Sequence, residues 1–114
     1  MESKEFVSKV QEWMDAKNAS NIEVIDIQGR SALADYFIIC EGSSERQVKA
    51  IADNIEYEAS KLGMEPKSIE GAQTARWILM DYSDVIVHVF HQEDRAFYDL
   101  ERLWKEGIRP DAQE

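Results

Sequence analysis

Two histidines, one cysteine and a glycine–serine turn are the residues of this chain best suited to chemistry, and their spacing decides what each can do. His88 and His91 stand three apart in "VIVHVFH". On a strand an odd spacing sends side chains to opposite faces, so this pair cannot share a metal ion there. His88 lies among valines and reads as a structural histidine held by a hydrogen bond. Cys40, the only cysteine, sits in an apolar strand and reads as a small buried hydrophobe. A lone thiol excludes an intramolecular disulfide and fits a reducing compartment. No group of cysteines and histidines has zinc spacing, so no metal and no cofactor is expected.

The stretch "CEGSSERQ" (40–47) carries the strongest enzymatic signal. A strand, a Gly-Ser turn and a helix N-terminus together form the kind of cradle that holds a phosphate. Nucleotidyl transfer also needs two acids, one residue apart on a nearby strand, to hold magnesium. Glu41 is followed at that spacing by Ser43, Asp53 stands alone within a helix, and Glu23 and Asp26 have an odd spacing. The turn is present and the metal site is not, so a helix cap accounts for it. A nucleotidyltransferase-like, nucleotide-binding enzyme stays as the alternative to a binding function. Gly-x-Ser-x-Gly, Rossmann and Walker patterns are missing, and His88 has no evident nucleophile beside it. No catalytic residue is expected.

What remains is surface. "RWILMDYSDVIVHVFH" (76–91) is two apolar runs joined by a polar corner. A strand with one wet face alternates apolar and polar residues, and this one hardly does. Trp77 and Leu79 point one way, and Ile78 and Met80 the other. Val85, Val87 and Val89 oppose Ile86, His88 and Phe90. Both faces need cover, from the chain's own helices or from a partner. Trp77, Leu79 and Asp81 share one side, with Tyr82 at the corner. Aromatic anchors beside a charge are typical of interface hot spots; Trp77 serves equally well as a core residue.

The elements that position these residues follow from periodicity. Residues 3–18 read as a helix with Phe6, Val10, Trp13 and Met14 on one face, broken at Asn18–Asn21. Strands follow at 22–29 and 35–42. Ser44 and Gln47 form a capping box for the next helix, whose stripe runs Val48, Ile51, Ala52, Ile55, Ala59, Leu62 and which Gly63 closes. Residues 65–71 read as a short strand at a sheet edge, with Pro66 near its start. The two strands of 76–91 form a hairpin turning near Tyr82–Asp84. A last helix over 93–107 has Phe97, Leu100, Leu103 and Trp104 as its inner stripe. The order α-β-β-α-β-β-β-α predicts a single α/β domain, a mixed sheet of about five strands flanked by helices. Strand order does not follow from it.

Length and composition agree. A chain of 114 residues, 44% of them hydrophobic, is large enough for a core without disulfides or metal, and no apolar run reaches the length of a membrane span. The N-terminus has the features of neither a signal nor a transit peptide. The formal charge is −10, from 13 basic and 23 acidic residues. Nucleic-acid binding draws its affinity from Lys and Arg on phosphates, so direct nucleic-acid contact is not expected. A basic protein is the better partner, because opposite potentials steer encounter.

Several of these segments also resemble a known family. "DYFIICEGSSERQVKAIADNI", "IEG" and "WILMDYSDVIVHVFHQEDRAFYDLERLW" are similar to the Iojap/RsfS ribosomal silencing factors. The Asp-Tyr-Phe start, the Ser-x-Arg-Gln helix cap, the Trp-x-Leu-x-Asp strand, the Val-His-Val-Phe strand and the Phe-Tyr-x-Leu-Glu-x-Leu-Trp helix occur in order, and the likeness spans about residues 5–106 of a 1–114 domain. Met80 and Ser83 stand where the family varies. The resemblance implies a fold distantly like nucleotidyltransferases without their catalytic acids, no enzymatic activity, a cytoplasmic location and a homodimer. It implies binding to the large ribosomal subunit through ribosomal protein L-fourteen, on the face that meets the small subunit. Subunit joining is then blocked sterically and translation repressed, notably when nutrients are short. Carried over by position, the docking residues are Trp77, Leu79, Asp81 and Tyr82, with Glu70 and Arg76 as rim charges and Asp81 paired to a partner Lys or Arg.

Overall fold

The sheet is explained by where its apolar residues go. In a computed structural model that describes residues 1–95, the elements are α1 (Ser3–Asp15), β1 (Ser20–Asp26), β2 (Tyr36–Gly42), α2 (Glu45–Ser60), β3 (Ser68–Glu70), β4 (Trp77–Asp81), β5 (Val85–His91) and α3 (Gln92–Arg95). They make one mixed five-stranded sheet in the order β1-β2-β5-β4-β3. β2 and β5 run parallel at the centre, and the other neighbours are antiparallel. The expected element order and fold class are those observed. The predicted stripe Phe97, Leu100, Leu103 and Trp104 lies outside the described residues.

Helices α1 and α2 cover one face. Phe6, Val10 and Met14 of α1 and Val48, Ile51 and Ile55 of α2 are buried against Ile38, Cys40, Ile78, Met80, Val87 and Val89. Burial pushes the Cys40 thiol up to about 12, so it stays protonated and packs as a hydrophobe. The other face carries a second core of Ile25, Ile27, Ala34, Phe37, Ile39 and Phe90, with Trp77 and Ile86 packed on it. Two apolar faces on β2 and β5 therefore have two cores to serve.

Element ends depart from the expected limits for local reasons. α1 stops at Asp15, and Asn18 takes a left-handed φ of 61° while the Ala19 N–H donates to the Met14 carbonyl. Gly63 does the same for α2 at φ 77°, with the Met64 N–H on the Ala59 carbonyl. That turn swings Leu62 out to 45% exposure, so it does not extend the buried stripe. β1 begins at Ser20, earlier than expected, and carries an irregularity between Ser20 and Glu23, where Asn21 has φ 50°. It ends at Asp26, whose Oδ1 accepts the Gln28 N–H and starts the turn. β3 keeps only Ser68–Glu70 of the expected 65–71, since Pro66 offers no N–H to a ladder. It is the sheet edge that the proline predicted.

Gly71 fixes how closely β3 turns into β4. Its φ is 85°, and a Cβ there would lie 2.1 Å from the Trp77 carbonyl oxygen. Gly71→Ala is therefore expected to cost at least about 2 kcal/mol, from the left-handed backbone and the overlap together. Urea denaturation reads this directly, and wild-type stability in the variant would contradict it.

Candidate functional site

The Gly-Ser turn before α2 is filled by the protein itself. Ser44 Oγ accepts the Gln47 N–H at 3.1 Å, as a capping residue should. The Gln47 carboxamide oxygen, however, reaches past Ser44 and accepts the Ser43 N–H at 2.7 Å and the Ser43 hydroxyl at 3.0 Å. Its NH2 group donates to the carbonyls of Lys17 and Asn18. The capping box is thus displaced by one residue, and Gln47 ties the end of α1 to the start of α2. An N–H that a phosphate would need is already spent. Gln47→Leu is expected to destabilise the fold by about 0.5–1.5 kcal/mol, since water can reach the groups that lose their bonds, measured by thermal or chemical unfolding. Among the described residues no group of three or more His, Cys, Asp or Glu is placed to hold a metal ion.

Four of the six expected docking residues, Glu70, Trp77, Leu79 and Asp81, lie on the second face of the sheet. In register, Glu70, Leu79, His88, Ile39 and Glu23 form one row across all five strands. Trp77 sits opposite Phe90, and Asp81 opposite Ile86. Side chains alternate along a strand, so Trp77, Leu79 and Asp81 share this face while Ile78 and Met80 lie in the helix-covered core. Trp77, Leu79 and Asp81 are each half-buried and Glu70 is exposed. Glu70, Gly71, Trp77 and Leu79 line a hollow of about 250 Å³ at the sheet edge.

Each member is held by named contacts. The Trp77 indole stacks on Phe90 with centroids 4.9 Å apart and 22° between planes. Its Nε1–H donates to His88 Nδ1 at 3.0 Å. The His88 ring also lies 4.9 Å from that of Phe37, at 62°. Burial pushes the His88 imidazole down to about 3, so the ring is neutral, with its proton on Nε2 because Nδ1 accepts. Asp81 Oδ1 accepts the Ser83 N–H at 2.8 Å, which braces the hairpin corner where Ser83 has φ 75°.

Two of the six expected residues sit differently from the rest. Tyr82 follows Asp81 by one residue, and alternation sends it to the opposite side. It is 7% exposed and its ring lies 4.9 Å from that of Phe6, in the core under α1. Burial, then the nearby Glu56 and Glu65, raises its phenol above the ordinary range. Arg76 is engaged within the fold rather than displayed as a simple rim charge. Its guanidinium lies 2.7 Å from Asp94, 3.0 Å from Glu93 and 3.6 Å from Glu45, and the hydrogen bonds to Asp94 and Glu93 hold it firmly in the charged form. It pins the start of β4 to the starts of α2 and α3. The residue that sequence reasoning left out of the face is His88. The turn decides it: the Tyr82 N–H donates to the Val85 carbonyl, so Ser83 and Asp84 are the two central residues, Trp77 faces Phe90, Leu79 faces His88, and Trp77 and His88 lie on one diagonal.

A family model described as "Ribosomal silencing factor during starvation" matches residues 1–114. The chain belongs to the ribosomal silencing factor family. It is 43% identical over 104 residues to the silencing factor RsfS of Halalkalibacterium halodurans, covering 91% of this chain and 89% of that one. A crystal structure of a Chromobacterium violaceum protein superposes with a TM-score of 0.89 at 32% identity, over 96% of this chain and 91% of that one. A mouse protein named for mitochondrial assembly of the ribosomal large subunit is 32% identical over 91 residues, covering 77% of this chain and 40% of that protein. A family named for ribosomal silencing suggests regulation rather than catalysis, and a ribosome as partner.

Proposed function

We propose that this silencing factor binds the large ribosomal subunit through its Trp77 face and prevents the small subunit from joining. The reaction it opposes is an association of two particles, so occupancy suffices and no bond need be made or broken. The observation that carries this reading is the clustering of Trp77, Leu79 and Asp81 on one sheet face with Glu70 at its edge. Half-buried apolar anchors flanked by carboxylates fit a basic protein surface with an apolar spot at its centre. Ribosomal protein L-fourteen is the partner that the family resemblance implies. Glu70 and Asp81 are the charges that meet its Lys or Arg side chains. Tyr82 contributes from beneath, as a core residue that sets the hairpin corner, and Arg76 by holding the strand that carries Trp77. The factor acts in the cytoplasm, where its free form is a homodimer.

Carbodiimide crosslinking on purified bacterial large subunits tests the assignment, because it joins a carboxylate to a lysine in contact with it. Crosslinks from Glu70 or Asp81 to L-fourteen are expected. Crosslinks confined to carboxylates on α1 and α2, or to a different ribosomal protein, would place the docking face elsewhere.

A further inference from the structure

Trp77 is the anchor of the proposed face, yet its one polar group points inward. The indole N–H is taken up by His88 Nδ1 at 3.0 Å, and the ring is stacked on Phe90. His88 itself is 3% exposed and its other nitrogen, Nε2, has no hydrogen-bond partner among the described residues. Burying a polar N–H without a partner costs stability, and an aliphatic residue in that row would avoid the cost. Leu79 and Ile39, its neighbours across the sheet, show that the row accepts aliphatic side chains. What the imidazole supplies that they cannot is an acceptor for the indole.

We infer that His88 is a positioning and specificity-determining residue for docking: by drawing the Trp77 N–H inward it locks the indole and makes it a purely apolar anchor. This rests on the docking face proposed above and adds the chemistry of its counterpart. The seat for Trp77 on the partner is aliphatic, with no acceptor for the indole, while the polar recognition falls to Glu70 and Asp81. A partner surface that offers a carbonyl or carboxylate to the indole N–H gains nothing from it and loses the solvation of that group. Fixing the ring before contact also spares the ordering cost that a mobile tryptophan meets on binding.

Two measurements test this, one on the free protein and one on the complex. In the free protein, the Trp77 indole N–H is expected to exchange slowly with solvent, and 15N shifts of His88 are expected to show a bare Nδ1 and a protonated Nε2. His88→Asn keeps an oxygen near the Nδ1 position and retains slow exchange; His88→Leu loses it. Fast exchange in the wild type, or equal protection in His88→Leu, overturns the inference whatever the ribosome does. For the complex, a double-mutant cycle is read by cosedimentation with purified bacterial large subunits, with thermal unfolding confirming that each variant is folded. His88→Leu is expected to weaken docking about tenfold, and His88→Asn by much less. In a Trp77→Phe background, His88→Leu is expected to change docking little, because the group it held is gone. Additive losses, or no rescue by asparagine, overturn the inference while leaving the docking face intact. Wild-type docking by Trp77→Ala would instead remove the face, and the role of His88 in docking with it.

Discussion

Truncating Trp77 to alanine is expected to weaken binding to large subunits by about thirtyfold to a thousandfold, the usual range of roughly 2–4 kcal/mol for a lost aromatic anchor. The indole is half-buried, stacked on Phe90 and fixed by His88, so it meets a partner already ordered. Its removal also strands His88 Nδ1 and opens space beside Phe90, which costs stability in the free protein. The comparison is therefore made well below the unfolding temperature of the variant, with circular dichroism as the control. A second substitution isolates charge from packing. Asp81→Asn can keep the hydrogen bond from the Ser83 N–H and removes only the negative charge, so it should reduce affinity with little effect on folding, and the reduction should shrink as salt is raised. Asp81→Arg is expected to abolish cosedimentation. It also removes the brace at the hairpin corner, which makes it the harsher and less diagnostic variant. Wild-type cosedimentation by both Trp77→Ala and Asp81→Arg would show that another surface docks.

Acid is expected to destabilise the protein through His88 in a window that can be stated in advance. Its imidazole titrates near 6.5 in an unfolded chain and is pushed down to about 3 in the fold by burial. Between those values the unfolded chain binds one more proton than the native one, so stability rises with pH there. Above about pH 6.5 the contribution is fully present; below it, stability falls at a rate approaching 1.4 kcal/mol per pH unit, or about 2–3 kcal/mol by pH 4.5. The measurement is urea denaturation from pH 8 to 4.5 for wild type and His88→Asn. The slope of the wild type should exceed that of the variant over this window, and parallel curves would mean that the histidine is solvated or charged in the fold. One physiological consequence is a flat response. Near neutral pH the imidazole is already neutral, so the Trp77 bond is insensitive to ordinary shifts of cellular pH.

The residues whose roles were legible in the sequence are those governed by local rules. Period-2 alternation placed Ile78 and Met80 on one side of β4 and Trp77, Leu79 and Asp81 on the other. Helical spacing found the buried faces of α1 and α2, and Pro66 marked the edge strand. What local rules do not contain is where one segment meets a distant one. Gln47 was legible as a helix cap, but its bonds to Lys17 and Asn18, thirty and twenty-nine residues away, depend on how α1 packs against α2. Arg76 reads as a surface charge because its partners come from elsewhere: the β4–β5 hairpin brings Glu93 and Asp94 to it, and the β2–β5–β4 order brings Glu45. Tyr82 follows Asp81 by one residue, so alternation carries it to the helix-covered side, where it packs on Phe6. His88 is legible as a hydrogen-bonded residue; that its partner is Trp77 depends on the hairpin register, which the two-residue turn at Ser83–Asp84 fixes.

The same rules explain why the face is well suited to docking. Strands β4 and β5 are tied to the sheet centre, and Gly71 and Asp81 fix the two turns that border β4. A binding surface carried on rigid strands presents its anchors at fixed spacing, which lowers the ordering cost on contact. The overall charge of −10 adds steering toward a basic target and disfavours contact with RNA.

Sedimentation of mixed large and small subunits, with the purified protein added to saturation, tests the central claim most directly. The account predicts that the joined-particle peak falls as protein is added, that the protein travels with the free large subunit, and that Trp77→Ala restores the peak. An unchanged joined-particle peak at saturation, or protein found with the small subunit or with joined particles, would contradict it.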